Sequence, residues 1–142
     1  MYKFFISTII IQFVSAISFA QTVNNQNFEP GAVWKDNNGV HINAHGGGIL
    51  YHRGVYYWYG EHKIAGKTGN QAQVGVHCYS SKDLYNWKDE EIVLKVDTTP
   101  GSILEKGCII ERPKVIYNKK TKKFVMWFHY EKNGNCYNSS LS

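Results

Sequence analysis

The sequence lacks two patterns that would indicate a helical or membrane-embedded protein. Beyond the N-terminus, no stretch sustains the 3.6-residue apolar spacing of an amphipathic helix. The one long apolar run, Phe4–Val14, is shorter than the roughly 20 residues that a membrane span needs, and Ser7, Thr8 and Gln12 interrupt it. These absences favour a protein built mainly from β-strands.

Residues 1–20 are typical of a secretory signal peptide, with a membrane anchor as the alternative. Lys3 supplies a positive charge before the apolar run, and the small residues Ser18 and Ala20 precede a cleavage site. We expect cleavage after Ala20, so that the protein is secreted or periplasmic and has no membrane span afterwards. After cleavage, residues 21–33 would form a flexible lead-in to the folded part, and the first of them are polar.

Cysteine is scarce, and its spacing excludes a zinc site. Cys78, Cys108 and Cys136 are separated by 30 and 28 residues, which fits no zinc-binding pattern. An odd number leaves at least one thiol unpaired within the chain. In an oxidising compartment a disulfide between two of them is an alternative to three free thiols, and the sequence does not say which two would pair.

Positive charge is also too dispersed to form a nucleic-acid surface. The formal net charge is +5, yet the only dense basic run flanks Thr121 at the tip of a predicted hairpin. A nucleic-acid partner would need basic residues across a whole face. We therefore expect no nucleic-acid partner.

The chain is organised around a glycine-rich stretch that leads into two β runs. His45, Gly46 and Gly47 precede the first run, Gly48–His52, and the second run, Val55–Glu61, ends on an acid. The Arg53-Gly54 link suits a tight hairpin. Polar side chains at strand ends are how a β scaffold presents a site. A hairpin whose polar ends merely face water is the alternative.

The same pattern recurs further along the chain. Val115–Tyr117 repeats Ile49–Tyr51 at an offset of 66, and Met126–Phe128 repeats Tyr57–Tyr59 at an offset of 69. A repeat of about 65 residues with four antiparallel strands is typical of β-propeller blades. Trp58 and Trp127 occupy equivalent repeat positions, which favours a shared role in blade packing over sugar contact.

The predicted fold class is therefore all-β, with about one and a half to two blades of a β-propeller. Residues 34–142 form this partial propeller, with the first blade at about 34–97 and the start of a second at about 108–142. Propellers have four to eight blades, so these cannot close a ring. We expect the N-terminal part of a longer protein or a truncated product, marginally stable by itself.

Five motifs of this chain are similar to those of a known enzyme family. They are Ile42–Gly48, Tyr56–Glu61, Tyr79–Trp87, Glu111–Asn118 and Met126–His129. Together they resemble glycoside hydrolase family 43, and more narrowly its exo-β-1,3-galactanase-like subgroup. The resemblance implies a five-bladed propeller that binds sugar at one end of its axis. It also implies an inverting hydrolase of β-linked galactan or a related plant polysaccharide.

The chain departs from the ordinary pattern of that family at two positions. In ordinary members the first blade supplies an aspartate base, the second an aspartate that tunes the acid, and the third a glutamate acid. Here the first position falls in His45–Gly48, without an aspartate, and the second holds Glu111. The resemblance implies that a later blade supplies the base in the galactanase-like subgroup. The third blade with its acid is absent, so we expect this fragment alone to be inactive.

Five residues are candidates for the site that the resemblance implies. Glu111 is the catalytic candidate, as an axial carboxylate that accepts sugar hydroxyls and influences the acid through its charge. Glu61 and His45 are substrate-binding candidates, Arg112 orients Glu111 by a charge-assisted bond, and Tyr137 matches a pocket tyrosine. The alternatives are a Glu111 paired with Arg112 or a lysine, a solvent-facing Glu61, and a His45 bonded to nearby backbone.

The expected partner is a polysaccharide or oligosaccharide substrate, bound by a protein that is a monomer when full length. Calcium occurs at the axis of some family members, but the sequence has no evident ligand cluster, so we expect no cofactor. A non-catalytic carbohydrate-binding propeller and an inactive hydrolase fragment are the alternative functions. A structural or interaction propeller without sugar is a further alternative.

Overall fold

The computed structural model describes residues 24–66, 68–132 and 135–141, the last of these as backbone. These residues form seven strands and a short 3-10 turn at Gly69–Ala72, without an α-helix, so no described helix could cross a membrane. The strands are β1 (His45–His52), β2 (Val55–Lys63), β3 (Gln73–Ser81), β4 (Lys88–Lys95), β5 (Ile109–Asn118), β6 (Lys123–Lys132) and β7 (Asn135–Leu141). The predicted signal peptide and its cleavage site lie outside the described residues.

The strands form two antiparallel sheets, each a simple up-and-down meander. The first has the order β1-β2-β3-β4 and the second the order β5-β6-β7. Arg53 and Gly54, which join β1 to β2, both have positive φ (51° and 84°), as a two-residue hairpin turn requires. The all-β, antiparallel fold class predicted from the sequence is confirmed.

The first strand begins earlier than the sequence predicts. The apolar run starts at Gly48, yet β1 begins at His45, which pairs with Glu61 of β2. A β-bulge between His45 and Gly48 absorbs the one extra residue on β1. The glycines therefore lie inside the strand rather than before it, because the bulge lets the pairing continue past them.

One hydrophobic core lies between the two sheets. Its buried members are Val76 of β3, Cys108, and Ile110, Phe128 and Tyr130 of the second sheet. Tyr59, Leu94 and Met126 pack against them. Because both sheets contribute, each sheet covers an apolar face of the other.

A second core covers the opposite face of the first sheet. Trp87 and Tyr79 are almost fully buried there, and Trp34 from the segment before β1 packs with its ring centroid 5.7 Å from that of Trp58. Trp127 differs from its repeat partner, since half of its surface (51%) is exposed. The segment that covers Trp58 has no counterpart over Trp127 among the described residues, and the shared packing role of the two tryptophans stays a prediction.

The two cysteines with described side chains are free thiols. Cys78 and Cys108 are both buried, and burial raises the pKa of the Cys78 thiol to about 11. Burial also raises the pKa of the Cys108 thiol, so both thiols are neutral at physiological pH and act as small core residues. The side chain of Cys136 lies outside the described residues.

Candidate functional site

Three strand ends from the two sheets meet at one place. The start of β1 brings His45 and Gly46, the end of β2 brings Glu61, and the start of β5 brings Glu111 and Arg112. Four of the five predicted site residues therefore lie in this region. The fifth, Tyr137, lies on β7 opposite Tyr130, and its side chain is outside the described residues.

Glu61 is the most deeply buried acid of this region. Only 4% of its surface is exposed. Its Oε1 accepts a hydrogen bond of 2.9 Å from the backbone N–H of Arg112, and its Oε2 forms an ion pair of 2.9 Å with Lys63 Nζ. A buried carboxylate is tolerated only when it is paired and hydrogen-bonded, and here both oxygens are engaged.

Glu111 is half-buried and is held by a neutral side chain. Its Oε1 accepts a hydrogen bond of 2.7 Å from Asn70 Nδ2, in the loop that follows β2. The oxygen of the same amide accepts a hydrogen bond of 2.9 Å from Lys63 Nζ. The sequence alternative paired Glu111 directly with Arg112 or a lysine, whereas in the structure Asn70 stands between Glu111 and Lys63.

The β5 strand has a bulge directly after Glu111. The register with β6 shifts between Glu111 and Lys114, and Arg112 has a positive φ of 53°. A side chain in this left-handed region costs about 1–3 kcal/mol, which the surroundings must offset. The Glu61 carboxylate offsets this cost by accepting the hydrogen bond from the Arg112 N–H. The contact of Arg112 is thus made by its backbone, whereas the sequence prediction used its guanidinium.

Glycine lets the start of β1 approach these groups. Gly46 has a φ of +55°, and a Cβ added there would lie 2.8 Å from Glu61 Oε1. A Cβ on Gly48 would lie 2.6 Å from Cδ of Lys114, whose Nζ donates to the carbonyl oxygens of Gly46 and Gly47 at 3.1 and 2.7 Å. A Cβ at Gly46 would therefore press on the Glu61 carboxylate, and a Cβ at Gly48 would displace the end of the flexible Lys114 side chain.

His45 is exposed at the start of β1, opposite Glu61 in the strand register. It is therefore accessible from solvent beside the buried acid. The described residues contain no group of three or more His, Cys, Asp or Glu side chains that could hold a metal ion.

Lys63, Asn70 and Lys114 were missed by the sequence analysis. Lys63 follows Glu61 by two residues on β2, and residues at this spacing share a face of a strand, so the alternation of side chains could have indicated it. Asn70 and Lys114 are far from Glu61 in sequence, and their contacts depend on how the two sheets pack.

A second polar cluster lies on the other side of the first sheet. His77, which is 7% exposed, contacts Asp89 Oδ1 through Nε2 at 2.6 Å and His62 Nδ1 through Nδ1 at 2.8 Å. The Tyr79 hydroxyl lies 3.3 Å from the same His77 Nδ1. Burial and the neighbouring His77 lower the pKa of His62.

Comparison with known proteins identifies relatives among solved structures. No protein-family model and no curated protein matches the chain. A GH43 β-1,3-galactosidase solved with galactodeoxynojirimycin is 59% identical with a TM-score of 0.67, and the match covers 73% of this chain and 30% of that one. An exo-β-1,3-galactanase from Clostridium thermocellum is 48% identical with a TM-score of 0.62, covering 73% and 21%.

A third relative is the exo-β-1,3-galactanase from Phanerochaete chrysosporium, solved with β-1,3-galactotriose. It is 37% identical with a TM-score of 0.62, and the match covers 72% of this chain and 23% of that one. The chain thus spans less than a third of the length of these enzymes. The resemblance stated from the motifs is confirmed, and the chain belongs to glycoside hydrolase family 43 over the length that it shares with them.

Proposed function

We propose that the protein containing this chain is an exported hydrolase that releases galactose from β-1,3-linked galactan. The observation that carries the proposal is the identity of 37–59% to a β-1,3-galactosidase and exo-β-1,3-galactanases over about 72% of the chain. The position of Glu111 and His45 where three strand ends meet supports it, since a carboxylate is suited to accepting hydrogen bonds from sugar hydroxyls.

We further propose that the two sheets are successive blades of a five-bladed propeller. The first blade comprises about residues 34–97 and the second begins at about residue 108. The antiparallel meander of both sheets and the apolar core between them support this assignment. In such a ring the innermost strands would be β1 and β5, so their first residues would face the axial end where the resemblance puts the sugar.

Within this site, Glu111 serves as the carboxylate that holds the sugar and acts on the acid through its charge. Inversion needs an acid and a base on opposite faces of the sugar, about 6.5–9.5 Å apart so that water fits between them. The resemblance assigns these two groups to later blades. His45 lines the entrance, while the buried Glu61 lies behind Glu111 and holds the backbone N–H of Arg112. Tyr137 follows on β7.

The test measures galactose release by the complete product of the gene that encodes this chain. We expect release of galactose from β-1,3-galactan. NMR of the first product should show that its anomeric configuration is inverted relative to the substrate. Glu111→Gln should lower kcat/KM by about 100-fold or more. Glu29→Gln, at an exposed acid before β1, is the matched control and should leave kcat/KM unchanged.

The outcomes separate this proposal from its alternatives. Binding of galactan oligosaccharides without release would favour the non-catalytic carbohydrate-binding propeller. The absence of both binding and release would favour a structural or interaction propeller. Full activity of Glu111→Gln would contradict the role given to Glu111.

A further inference from the structure

The carboxylates of Glu61 and Glu111 belong to one closed ring of hydrogen bonds. Glu61 Oε2 contacts Lys63 Nζ, which donates to Asn70 Oδ1, and Asn70 Nδ2 donates to Glu111 Oε1. Arg112, the next residue after Glu111, returns to Glu61 Oε1 through its N–H. The four contacts measure 2.7–2.9 Å, so the ring is continuous.

The charge of Lys63 fixes the direction of the amide in this ring. An ammonium group has donors and no acceptor, so the Asn70 oxygen must face it. The Asn70 NH2 group then faces Glu111 and can only donate. Lys63 is in turn held against Glu61, whose surface is 4% exposed, so the buried acid anchors the direction of the whole ring.

We infer that Lys63 and Asn70 are positioning residues for Glu111. They hold one oxygen of its carboxylate toward the loop after β2, which directs the second oxygen to the substrate. The inference deepens the proposed function and rests on it. Asn70 itself is exposed, on the 3-10 turn at Gly69–Ala72. It is accessible to substitution without disturbing either hydrophobic core.

The backbone around Glu111 explains why such a restraint is needed. Glu111 is the last residue of β5 in register with β6 before the bulge, and Arg112, the next residue, has a positive φ. Regular strand pairing therefore supports the backbone of Glu111 from its N-terminal side only. The Glu61 carboxylate holds the bulge by accepting a hydrogen bond from the backbone N–H of Arg112. Asn70 holds the Glu111 carboxylate by donating a hydrogen bond to it.

The test uses two substitutions of Asn70 in the complete gene product, with galactose release from β-1,3-galactan as the readout. Asn70→Ala removes the donor, and we expect kcat/KM to fall about 3- to 10-fold, as for one partly exposed hydrogen bond. Asn70→Asp keeps an oxygen acceptor for Lys63 but places a second carboxylate against that of Glu111. It should lose more activity at neutral pH and recover toward acidic pH, where one carboxyl group becomes a donor.

Gln71→Ala is the matched control, since Gln71 is an exposed neighbour on the same turn. It should keep both the wild-type kcat/KM and the wild-type pH profile. If Glu111→Gln is inactive while Asn70→Asp keeps the wild-type pH profile, the positioning role is overturned and the proposed function stands. Wild-type protein that releases no galactose overturns the proposed function instead.

A spectroscopic measurement tests the contact independently of activity. The side-chain amide protons of Asn70, observed by 15N–1H NMR on the complete gene product, should move upfield in Glu111→Gln because a carboxylate acceptor is replaced by an amide. Glu29→Gln should leave them in place. Asn70 amide resonances that do not respond to Glu111→Gln would overturn the inference whatever the enzyme assays give.

Discussion

The carboxylate of Glu61 accepts a hydrogen bond from the backbone N–H of Arg112, 51 residues later and on the other sheet. This contact joins a buried acid to a strained backbone position, and it lies directly beside the predicted catalytic carboxylate. The stability of the fold and the geometry of the site therefore depend on the same group.

Replacement of Glu61 should reduce stability. Glu61→Gln keeps the shape and an acceptor for the Arg112 N–H, but its NH2 group then faces the Lys63 ammonium, and two donors oppose each other. We expect the free energy of unfolding to fall by about 1–3 kcal/mol, measured by chemical denaturation. Glu29→Gln, at an exposed acid, should change it by less than about 0.5 kcal/mol. Equal values for the two variants would contradict the buried ion pair.

Gly46 should tolerate no side chain, and Gly39 provides a matched control. Both glycines have positive φ (+55° and +76°), so alanine pays a similar backbone cost at each. A Cβ at Gly39 meets nothing within 4 Å, whereas at Gly46 it lies 2.8 Å from Glu61 Oε1. Gly46→Ala should therefore lose about 1–3 kcal/mol more than Gly39→Ala, because the Glu61–Arg112 bond is displaced. Thermal or urea unfolding of the two variants measures this difference.

Gln73 should contribute strongly to the contact between the sheets. It is 3% exposed, and its side-chain amide, oriented by the network, donates to Ile110 O at 2.7 Å and accepts from Ile110 N at 2.9 Å. Gln73→Leu leaves both backbone groups of Ile110 without these partners and should cost about 2–4 kcal/mol. Gln71→Leu, at the exposed position two residues earlier, should cost less than about 0.5 kcal/mol. Similar losses in both variants would show that the amide adds nothing specific.

Local features of the fold could be predicted from the sequence, and contacts between sheets could not. The Arg53-Gly54 turn and the repeated hairpins follow from turn residues and strand patterns within a few positions of each other. The contact of Asn70 with Glu111 spans 41 residues and depends on the bulge after Glu111 and on how the sheets pack. No local pattern specifies a bulge at Arg112, a non-glycine residue with positive φ. The motif resemblance therefore predicted that His45, Glu61, Glu111 and Arg112 lie in one region, but not which of their atoms are in contact.

The His62–His77 contact should make the fold sensitive to acid. The two Nδ1 atoms lie 2.8 Å apart, so one of them must lack its proton, and the rings cannot both be charged without losing the contact. Burial and His77 lower the pKa of His62 below its ordinary value of 6.5. Asp89, Tyr79 and the more distant His45 also face this pair.

The sign of the pH dependence follows from linkage. Between pH 6.5 and the lowered pKa of His62, the unfolded chain binds the proton and the folded chain does not, so the free energy of unfolding falls as the pH falls. Thermal unfolding of this chain between pH 7.5 and 5.5, a range chosen to bracket 6.5, should show the loss. His62→Asn should reduce the slope, and His41→Asn, at an exposed histidine before β1, should retain it. An unchanged slope in His62→Asn would assign the acid sensitivity to other groups.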